Sequence, residues 1–116
     1  MKNLGQIGED LAAAFLKKQK YKIIDRNFRI RGGEIDIIAL DGKTLVYIEV
    51  KTRTSHRFGT PAQSVTPAKI SFLIRAAKFY RNSHQNLPEG ERIDVVTVDF
   101  SNSTRPKIEH IPNVTL

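Results

Sequence analysis

Cysteine and tryptophan are absent from this sequence of 116 residues, and aromatic residues make up only 8% of it. Without cysteine, a disulfide scaffold, a thiolate zinc site and a cysteine nucleophile are all excluded. Apolar runs are also short, and none approaches the roughly 18 residues that a membrane-spanning helix requires. The N-terminal segment carries two acids before a brief apolar run, which is unlike a secretory signal. We therefore expect a cytoplasmic protein without a membrane partner.

Basic residues outnumber acidic ones, with 19 Lys and Arg against 12 Asp and Glu and a formal net charge of +7. An excess of this sign favours association with a polyanion, although it says nothing about the fold. Hydrophobic residues form 40% of the chain and charged residues 27%, which is typical of a globular protein. The length suits a single domain that covers residues 1–116.

Hydrophobic periodicity predicts an α-β-β-β-α-β order with one more short strand at the end. The predicted elements are a helix over residues 4–19, strands over 22–30, 34–40 and 44–52, a helix over 67–81, and strands over 93–100 and 107–111. The first three strands can form an antiparallel meander, and the long second helix allows the fourth strand to run parallel to the third. This order predicts an α/β fold in which helices pack on a mixed sheet.

The second predicted helix has an apolar stripe and a basic character. Its apolar positions at helical spacing are Ile70, Leu73, Ile74, Ala77 and Tyr80. Phe79 is expected in the core or on its flank, and His56, His84 and His110 are expected at the surface. The basic residues of this helix form either a DNA-facing surface or a solvated face, and they are Lys69, Arg75, Lys78 and Arg81.

Charged side chains interrupt one of the most apolar stretches of the chain, in the third predicted strand. Glu49 and Lys51 stand in the run LVYIEVK, and side chains two apart on a strand share a face. By the same alternation, Glu34 and Asp36 share a face of the second strand. Burying a charge there is costly without a partner or a metal ion. Such conflicts between chemistry and burial are common at functional sites.

An Asp-Gly pair predicts a hairpin between the second and third strands, and its register decides which acids meet. A loop of residues 41–42 places Glu34 opposite Glu49, whereas a loop of residues 41–44 places Asp36 opposite Glu49. Both registers put the carboxylates on one face. Facing carboxylates repel each other unless a cation lies between them. The hairpin therefore predicts a cation site in either register.

Oxygen ligands beside a lysine suit Mg²⁺ or Mn²⁺ rather than zinc. Asp36 and Glu49 are the candidate metal ligands, and the backbone carbonyl of Val50 is another. A divalent ion held there can polarise a phosphodiester and generate a hydroxide nucleophile. Lys51 would orient the water or stabilise charge on the phosphorus. Glu9, which lies off the apolar face of the first helix, is a further candidate ligand.

Several motifs carry a resemblance to known nucleases. The sequence GEID at residues 33–36, followed by EVKTR at residues 49–53, resembles the PD-(D/E)xK nuclease signature. The wider pattern, from about residue 4 to residue 100, resembles the YraN family of small bacterial proteins, which is related to archaeal Holliday junction resolvases. That pattern adds Gly8-Glu9, Asn27-Phe28-Arg29, Phe58-Gly59, Pro61-Ala62, Lys69 and the late run IDVV.

The resemblance implies a restriction-endonuclease-like fold with an α-β-β-β-α-β core. It also implies catalytic roles for Glu9 as an acid, for Asp36 and Glu49 as metal ligands, and for Lys51 as the catalytic lysine. The proline of the broader signature is absent, since Ile35 precedes Asp36. The implied activity is a metal-dependent endonuclease acting on DNA, including branched DNA. A homodimer is implied by analogy, because junction resolvases act on two strands.

Other interpretations of the same residues stay open. Asp36 and Glu49 also suit a solvated sheet face with Lys51 as their ion-pair partner. Glu34 is either a ligand or a charge that flanks a turn. Glu9 also suits the role of a first-turn acid, which the helix dipole favours.

Contacts with nucleic acid are predicted at Arg53, Gln63 and Lys69. Arg53 flanks the candidate site, and Gln63 lies in the loop before the second helix, where related nucleases often use a polar residue. The alternative function is a non-catalytic nucleic-acid-binding accessory protein that retains the nuclease fold. Binding without cleavage, with an affinity that falls steeply as salt rises, would identify it. RNA is the alternative substrate.

Overall fold

The structure is a computed structural model that describes residues 1–55, 65–102 and 105–115. Its elements are α1 (Leu4–Lys18), β1 (Lys22–Ile30), β2 (Gly33–Asp41), β3 (Thr44–Arg53), α2 (Pro67–Ser83), β4 (Gly90–Asp99) and β5 (Lys107–Ile111). This order confirms the predicted α/β core. The fourth strand begins three residues earlier than predicted, because the polar residues 90–92 extend its ladder with β3. Gln63, predicted to contact nucleic acid, and His56, predicted at the surface, lie outside the described residues.

The five strands form one mixed sheet in the order β1-β2-β3-β4-β5. β1, β2 and β3 pair antiparallel, β3 and β4 pair parallel, and β5 pairs antiparallel with β4. The parallel pair is connected through α2, as a crossover between parallel strands requires. β3 is therefore the central strand, and it carries both Glu49 and Lys51.

The two helices cover opposite faces of the sheet, because alternate residues of β3 belong to two different hydrophobic clusters. The cluster beneath α1 contains Val46, Ile48 and Val50, whereas Leu45 and Tyr47 lie beneath α2. Each fully buried aliphatic side chain of this kind stabilises the fold by about 1.5–3 kcal/mol. Among the described residues, no helix combines the length and apolarity needed to cross a bilayer.

Both helices begin at capped positions. The Asn3 side chain accepts the Gln6 N–H at 2.9 Å, and the Gln6 side chain accepts the Asn3 N–H at 2.9 Å, which forms a capping box. Thr66 Oγ1 accepts the Lys69 N–H at 3.1 Å, and a proline opens the helix after it. The caps fix where each helix starts, and so where Glu9 and Lys69 stand along it.

The buried face of α2 differs from the predicted stripe. Its buried residues are Phe72, Leu73, Ala76, Ala77 and Tyr80. The prediction that Ile74 belongs to this face is wrong, because its side chain is 40% exposed. Phe79, which was expected in the core or on its flank, is 57% exposed and so is not in the core. Phe72 is buried instead against Gly33, where an added Cβ would lie only 2.9 Å from the Phe72 ring.

Candidate metal centre

The β2–β3 hairpin has the register predicted for a loop of residues 41–44. Regular pairing runs as far as Ile37 opposite Ile48. Immediately beyond that pair, the Val50 N–H donates to Asp36 Oδ2 at 2.8 Å. At this end of the hairpin, a hydrogen bond to a side chain replaces the backbone pairing, and it fixes the Asp36 carboxylate against β3.

The alternation of β2 is interrupted at the same place. Ile35 packs beneath α2, whereas Ile37, two residues later, packs beneath α1. In a regular strand these two side chains would share a face. Ile35 faces α2, while Glu34 and Asp36 on either side of it both meet Glu9 of α1, so these two acids share a face as the strand alternation predicted.

Three carboxylates meet at this interruption. One oxygen each from Glu9, Glu34 and Asp36 lies within 4.8 Å of the other two. Asp36 is only 7% exposed, and the other two are half-buried. The interpretation of Glu9 as a first-turn acid is wrong, since the first turn of α1 holds no acid. The structure thus brings Glu9 to Asp36 and adds Glu34, which the sequence had left open between two roles.

Asn27 contacts two of these acids, although no role was predicted for it from the sequence. Its Nδ2 donates to Glu9 Oε1 at 2.8 Å and to Glu34 Oε1 at 3.3 Å. Its φ of +54° is left-handed, a conformation that asparagine adopts more readily than most residues. Strained backbone of this kind persists at functional sites. The available signal was an asparagine inside a predicted strand, within a family motif.

The three-acid cluster is short of compensating positive charge. Burial raises the pKa of Asp36, and the Val50 N–H, two lysines and a hydrogen bond with Glu34 only partly oppose it. Burial also raises the pKa of Glu9, and although the Asn27 hydrogen bond opposes this, the charges of Asp36 and Glu34 add to it. A carboxyl group with a raised pKa loses its proton more readily when a cation is bound beside it. The cluster is therefore electrostatically suited to a cation.

Glu49 is not among the acids that meet within 4.8 Å, and it faces α2 instead. Its side chain is 5% exposed, and Lys69 Nζ lies 2.9 Å from its Oε2. The contact is an ion pair without hydrogen-bond alignment, so Oε2 has no hydrogen-bond donor among the described residues. Lys69 also lies 5.1 Å from the centroid of the Phe72 ring. Its predicted contact with nucleic acid stays a prediction.

The other predicted site residues lie beside Glu49 on β3. Lys51 is half-buried and close enough to Asp36 to favour its charged form. Val50 contributes its N–H to Asp36, while the role of its carbonyl as a ligand stays a prediction. Arg53 ends the strand, and its carbonyl accepts the Phe100 N–H at 2.7 Å. Its contact with nucleic acid is likewise still a prediction.

Glu9 and Glu34, but not the buried Asp36, line an open cleft between α1 and β1 with a volume of about 420 Å³. Basic side chains stand around it, namely Lys2, Arg26 and Arg29. Arg26 Nη2 lies 2.8 Å from Asp10, and Arg29 Nε lies 3.3 Å from Glu34. The cleft therefore joins an acidic cluster to a basic rim.

Comparison with known proteins identifies the family. The sequence profile described as "Uncharacterised protein family UPF0102" matches residues 8–98. A UPF0102 protein of Geobacter metallireducens is 49% identical over 112 residues, which cover 97% of this chain and 91% of the relative. A UPF0102 protein of Geobacter sulfurreducens is 49% identical over 97% of this chain and 88% of its own length. One of Paenarthrobacter aurescens is 46% identical over 96% of this chain and 92% of its own length. The resemblance is thus confirmed, and the chain belongs to UPF0102, the YraN family.

Proposed function

We propose that this protein is a metal-dependent endonuclease that hydrolyses phosphodiester bonds in DNA, including branched DNA. The observation that carries the proposal is the meeting of Glu9, Glu34 and Asp36 within 4.8 Å around a buried carboxylate. Three acids at this spacing repel one another when all are charged, and a divalent cation removes that repulsion. Oxygen ligands of this kind favour Mg²⁺ or Mn²⁺.

The donor set fits such an ion in its orientation as well as in its chemistry. Asp36 accepts the Val50 N–H through Oδ2, which fixes the orientation of its carboxylate. Asn27 orients Glu9 and Glu34 in the same way through its two hydrogen bonds. Partners of this kind around a ligand set its direction and strengthen binding.

When bound, the divalent ion would supply a polarised phosphodiester and a water of lowered pKa. Glu9, Glu34 and Asp36 would hold the ion. Lys51 stabilises the negative charge that develops on the phosphate oxygens as the bond to the leaving oxygen breaks. Glu49, the further ligand predicted on β3, becomes available when its ion pair with Lys69 opens.

The charge distribution supports a polyanionic substrate. The formal net charge is +7, and the rim residues Lys2, Arg26 and Arg29 border the acidic cleft. Basic residues near a nuclease centre neutralise backbone phosphates and release counterions on binding. The rim would hold the DNA strand, while the three-acid cluster would act on one of its phosphates.

A cleavage assay tests the proposal. Labelled linear duplex, single-stranded and four-way-junction DNA are incubated with the purified protein and Mg²⁺ or Mn²⁺. Asp36→Asn is expected to lose about a hundredfold or more in rate, because metal catalysis supplies several kcal/mol. Asp41→Asn is the matched control, since Asp41 lies on the same strand and pairs with Arg92. Wild-type protein that cuts no substrate, or Asp36→Asn that cuts at the wild-type rate, would contradict the proposal.

One contact favours the alternative, a nucleic-acid-binding accessory protein without turnover. Lys69 neutralises Glu49 at 2.9 Å, as it would in a site that holds no metal. Retained DNA binding with a steep salt dependence and no cleavage would support this alternative. Competition between matched DNA and RNA separates the two substrates, and sedimentation across a concentration series tests the proposed homodimer.

A further inference from the structure

A second surface lies on the α2 side of the sheet, at the tip of the β1–β2 hairpin. An open cleft of about 660 Å³ is lined there by Ile30, Arg31, Gly32, Arg75 and Phe79, and we call it the Phe79 cleft. The chemistry proposed above uses none of these residues. The volume is in the range of pockets that bind small molecules.

The Phe79 cleft combines an exposed aromatic ring with two cations. Phe79 is exposed, as are both arginines. Single exposed apolar residues are normal on a protein surface, so the ring alone is uninformative. In the part of the chain that the structure describes, however, neither Arg31 nor Arg75 forms an ion pair with a carboxylate. The cleft therefore presents a free ring beside uncompensated positive charge.

The core holds Arg75 in place, and the hairpin tip brings Arg31 into the same cleft. The Arg75 guanidinium lies 5.3 Å from the centroid of the buried Phe72 ring, a favourable cation–π arrangement. Gly32 has a φ of +99°, and a Cβ added to it would lie 3.8 Å from Arg75 Nη2. The turn thus brings Arg31 close to α2 and leaves room for the Arg75 side chain.

We infer that the Phe79 cleft binds an unpaired nucleotide of the nucleic-acid substrate, with the base stacked on Phe79 and phosphate bound by Arg31 and Arg75. The inference deepens the proposed function and rests on it for the identity of the substrate. Single-strand sites combine an aromatic ring with a positively charged groove in this way. A continuous duplex offers no free base face to such a ring.

A second copy of this chain is the competing occupant, and charge argues against it. In a two-fold contact the same patch meets itself. The arginines of the two copies would then face one another without any acid of the cleft between them. A polyanion complements this surface, whereas a second copy repels it.

The position of the cleft predicts the class of substrate. Arg31 stands at the tip of the β1–β2 hairpin, three residues before Glu34, and the Phe79 cleft and the acid-lined cleft open on opposite sides of the sheet. A strand that occupies both clefts must therefore bend around the hairpin tip, which an unpaired segment does more readily than stiff duplex. The preferred substrates are forks, flaps and junctions with unpaired segments, rather than uniform duplex.

Binding without metal tests this inference separately from cleavage. Fluorescence anisotropy in EDTA measures the Kd of wild-type protein for a labelled single strand and for the blunt duplex of the same sequence. Phe79→Ala is expected to weaken single-strand binding about tenfold and to leave duplex binding unchanged. Ile74→Ala, an exposed apolar change on another side of α2, is expected to alter neither. Phe79→Trp, which keeps a stacking ring, is expected to retain single-strand binding.

Three results would overturn the inference. The first is that Phe79→Ala weakens binding to the single strand and to the duplex equally. The second is that Ile74→Ala weakens single-strand binding as much as Phe79→Ala does. The third is that wild-type protein sediments as a dimer and Phe79→Ala as a monomer. Circular dichroism confirms that each variant is folded. Binding is measured without metal, so the two proposals can fail separately. If Phe79→Ala selectively loses single-strand binding but wild-type protein cleaves no DNA, the endonuclease proposal fails and the nucleotide site at the Phe79 cleft stands. If cleavage depends on Asp36 but Phe79→Ala binds single strands normally, only the nucleotide site fails.

Discussion

Two buried aspartates of this sheet, Asp94 and Asp36, have pKa values shifted in opposite directions, and Asp94 has the larger set of hydrogen-bond and ion-pair partners. It is 0% exposed, and its carboxylate lies 2.6 Å from His110 Nε2, 3.1 Å from Arg92 Nε and 2.9 Å from the Asn113 N–H. Burial alone would raise its pKa, but these three partners together hold the pKa below its ordinary value. The surface position expected for His110 is therefore wrong.

Asp36 has the opposite balance. Its carboxylate accepts one backbone N–H, from Val50, and lies beside the acids Glu9 and Glu34. Burial raises its pKa, and two lysines nearby do not reverse the shift. The comparison separates an acid whose charge is matched by its partners inside the fold from one whose pKa burial raises, and the second is the acid that the proposed metal site uses.

Neutralising each aspartate gives the largest expected contrast. Asp94→Asn should lower the free energy of unfolding by about 3–5 kcal/mol, because it leaves Arg92 beside a buried group that no longer carries the matching charge. Asp36→Asn should leave this free energy unchanged or raise it in metal-free buffer, since it removes one of three mutually repelling acids. Urea unfolding measures both, and equal destabilisation would remove the distinction.

Metal binding should stabilise only the protein with an intact three-acid cluster. At a free Mn²⁺ concentration of 100 times Kd, the expected gain in stability is about 2.7 kcal/mol, seen as a higher midpoint of thermal unfolding. Asp36→Asn should lose this gain, and Asp41→Asn should keep it, because Asp41 lies at the other end of β2. A gain of the same size in both variants would place the ion elsewhere.

The close packing of α1 against the sheet at Gly8 offers a way to disturb the three-acid cluster without replacing any of its acids. A Cβ on Gly8 would overlap Thr52 Oγ1, so Gly8→Ala should cost about 1–3 kcal/mol and displace the adjacent Glu9. Gly5→Ala is the control, since its Cβ would meet nothing closer than 3.4 Å. We expect Mn²⁺ to raise the midpoint of thermal unfolding less in Gly8→Ala than in Gly5→Ala. Equal increases in the two variants would contradict the role of Glu9 as a metal ligand.

The pH dependence of stability should have opposite signs at the two sites, with the smallest effects of the set. The raised pKa of Asp36 stabilises the fold below the unfolded value of 3.8, and this contribution is lost as pH rises through the folded pKa. The lowered pKa of Asp94 stabilises the fold above 3.8, and this contribution is lost as pH falls through the folded pKa. Urea midpoints across acid pH, compared with Asp36→Asn and Asp94→Asn, should show both trends, and two slopes of one sign would contradict them.

The order of the elements was predictable because each boundary has its own local signal. The Asp-Gly pair at residues 41–42 marks the hairpin, and the capping Thr66 with the proline after it marks the start of α2. These signals depend only on residues close together in the chain. The same reasoning found Glu9 and Asp36 as candidates, the second by strand alternation and the first chiefly through the family resemblance.

The composition of the three-acid cluster was not predictable in the same way. Glu49 is not part of it, because the interruption of β2 between Ile35 and Ile37 separates Asp36 from Glu49, which faces α2. Asn27 adds hydrogen bonds to Glu9 and Glu34 from another strand. His110 is partly buried because it reaches Asp94 on the neighbouring strand, a pairing between distant parts of the chain. Local patterns set the elements, whereas irregular backbone and distant pairing set the final contacts.

The central place of β3 in the sheet has a consequence for motion. β3 is bonded to a strand on each side, while α1 only packs on one face. Amide hydrogens of a central strand exchange with solvent mainly through global unfolding, whereas those of a peripheral helix exchange through local opening. The three-acid cluster therefore joins the sheet, through Glu34 and Asp36 of β2, to the peripheral helix α1, through Glu9. An ion bound by these three acids should slow deuterium uptake in α1 far more than in β3.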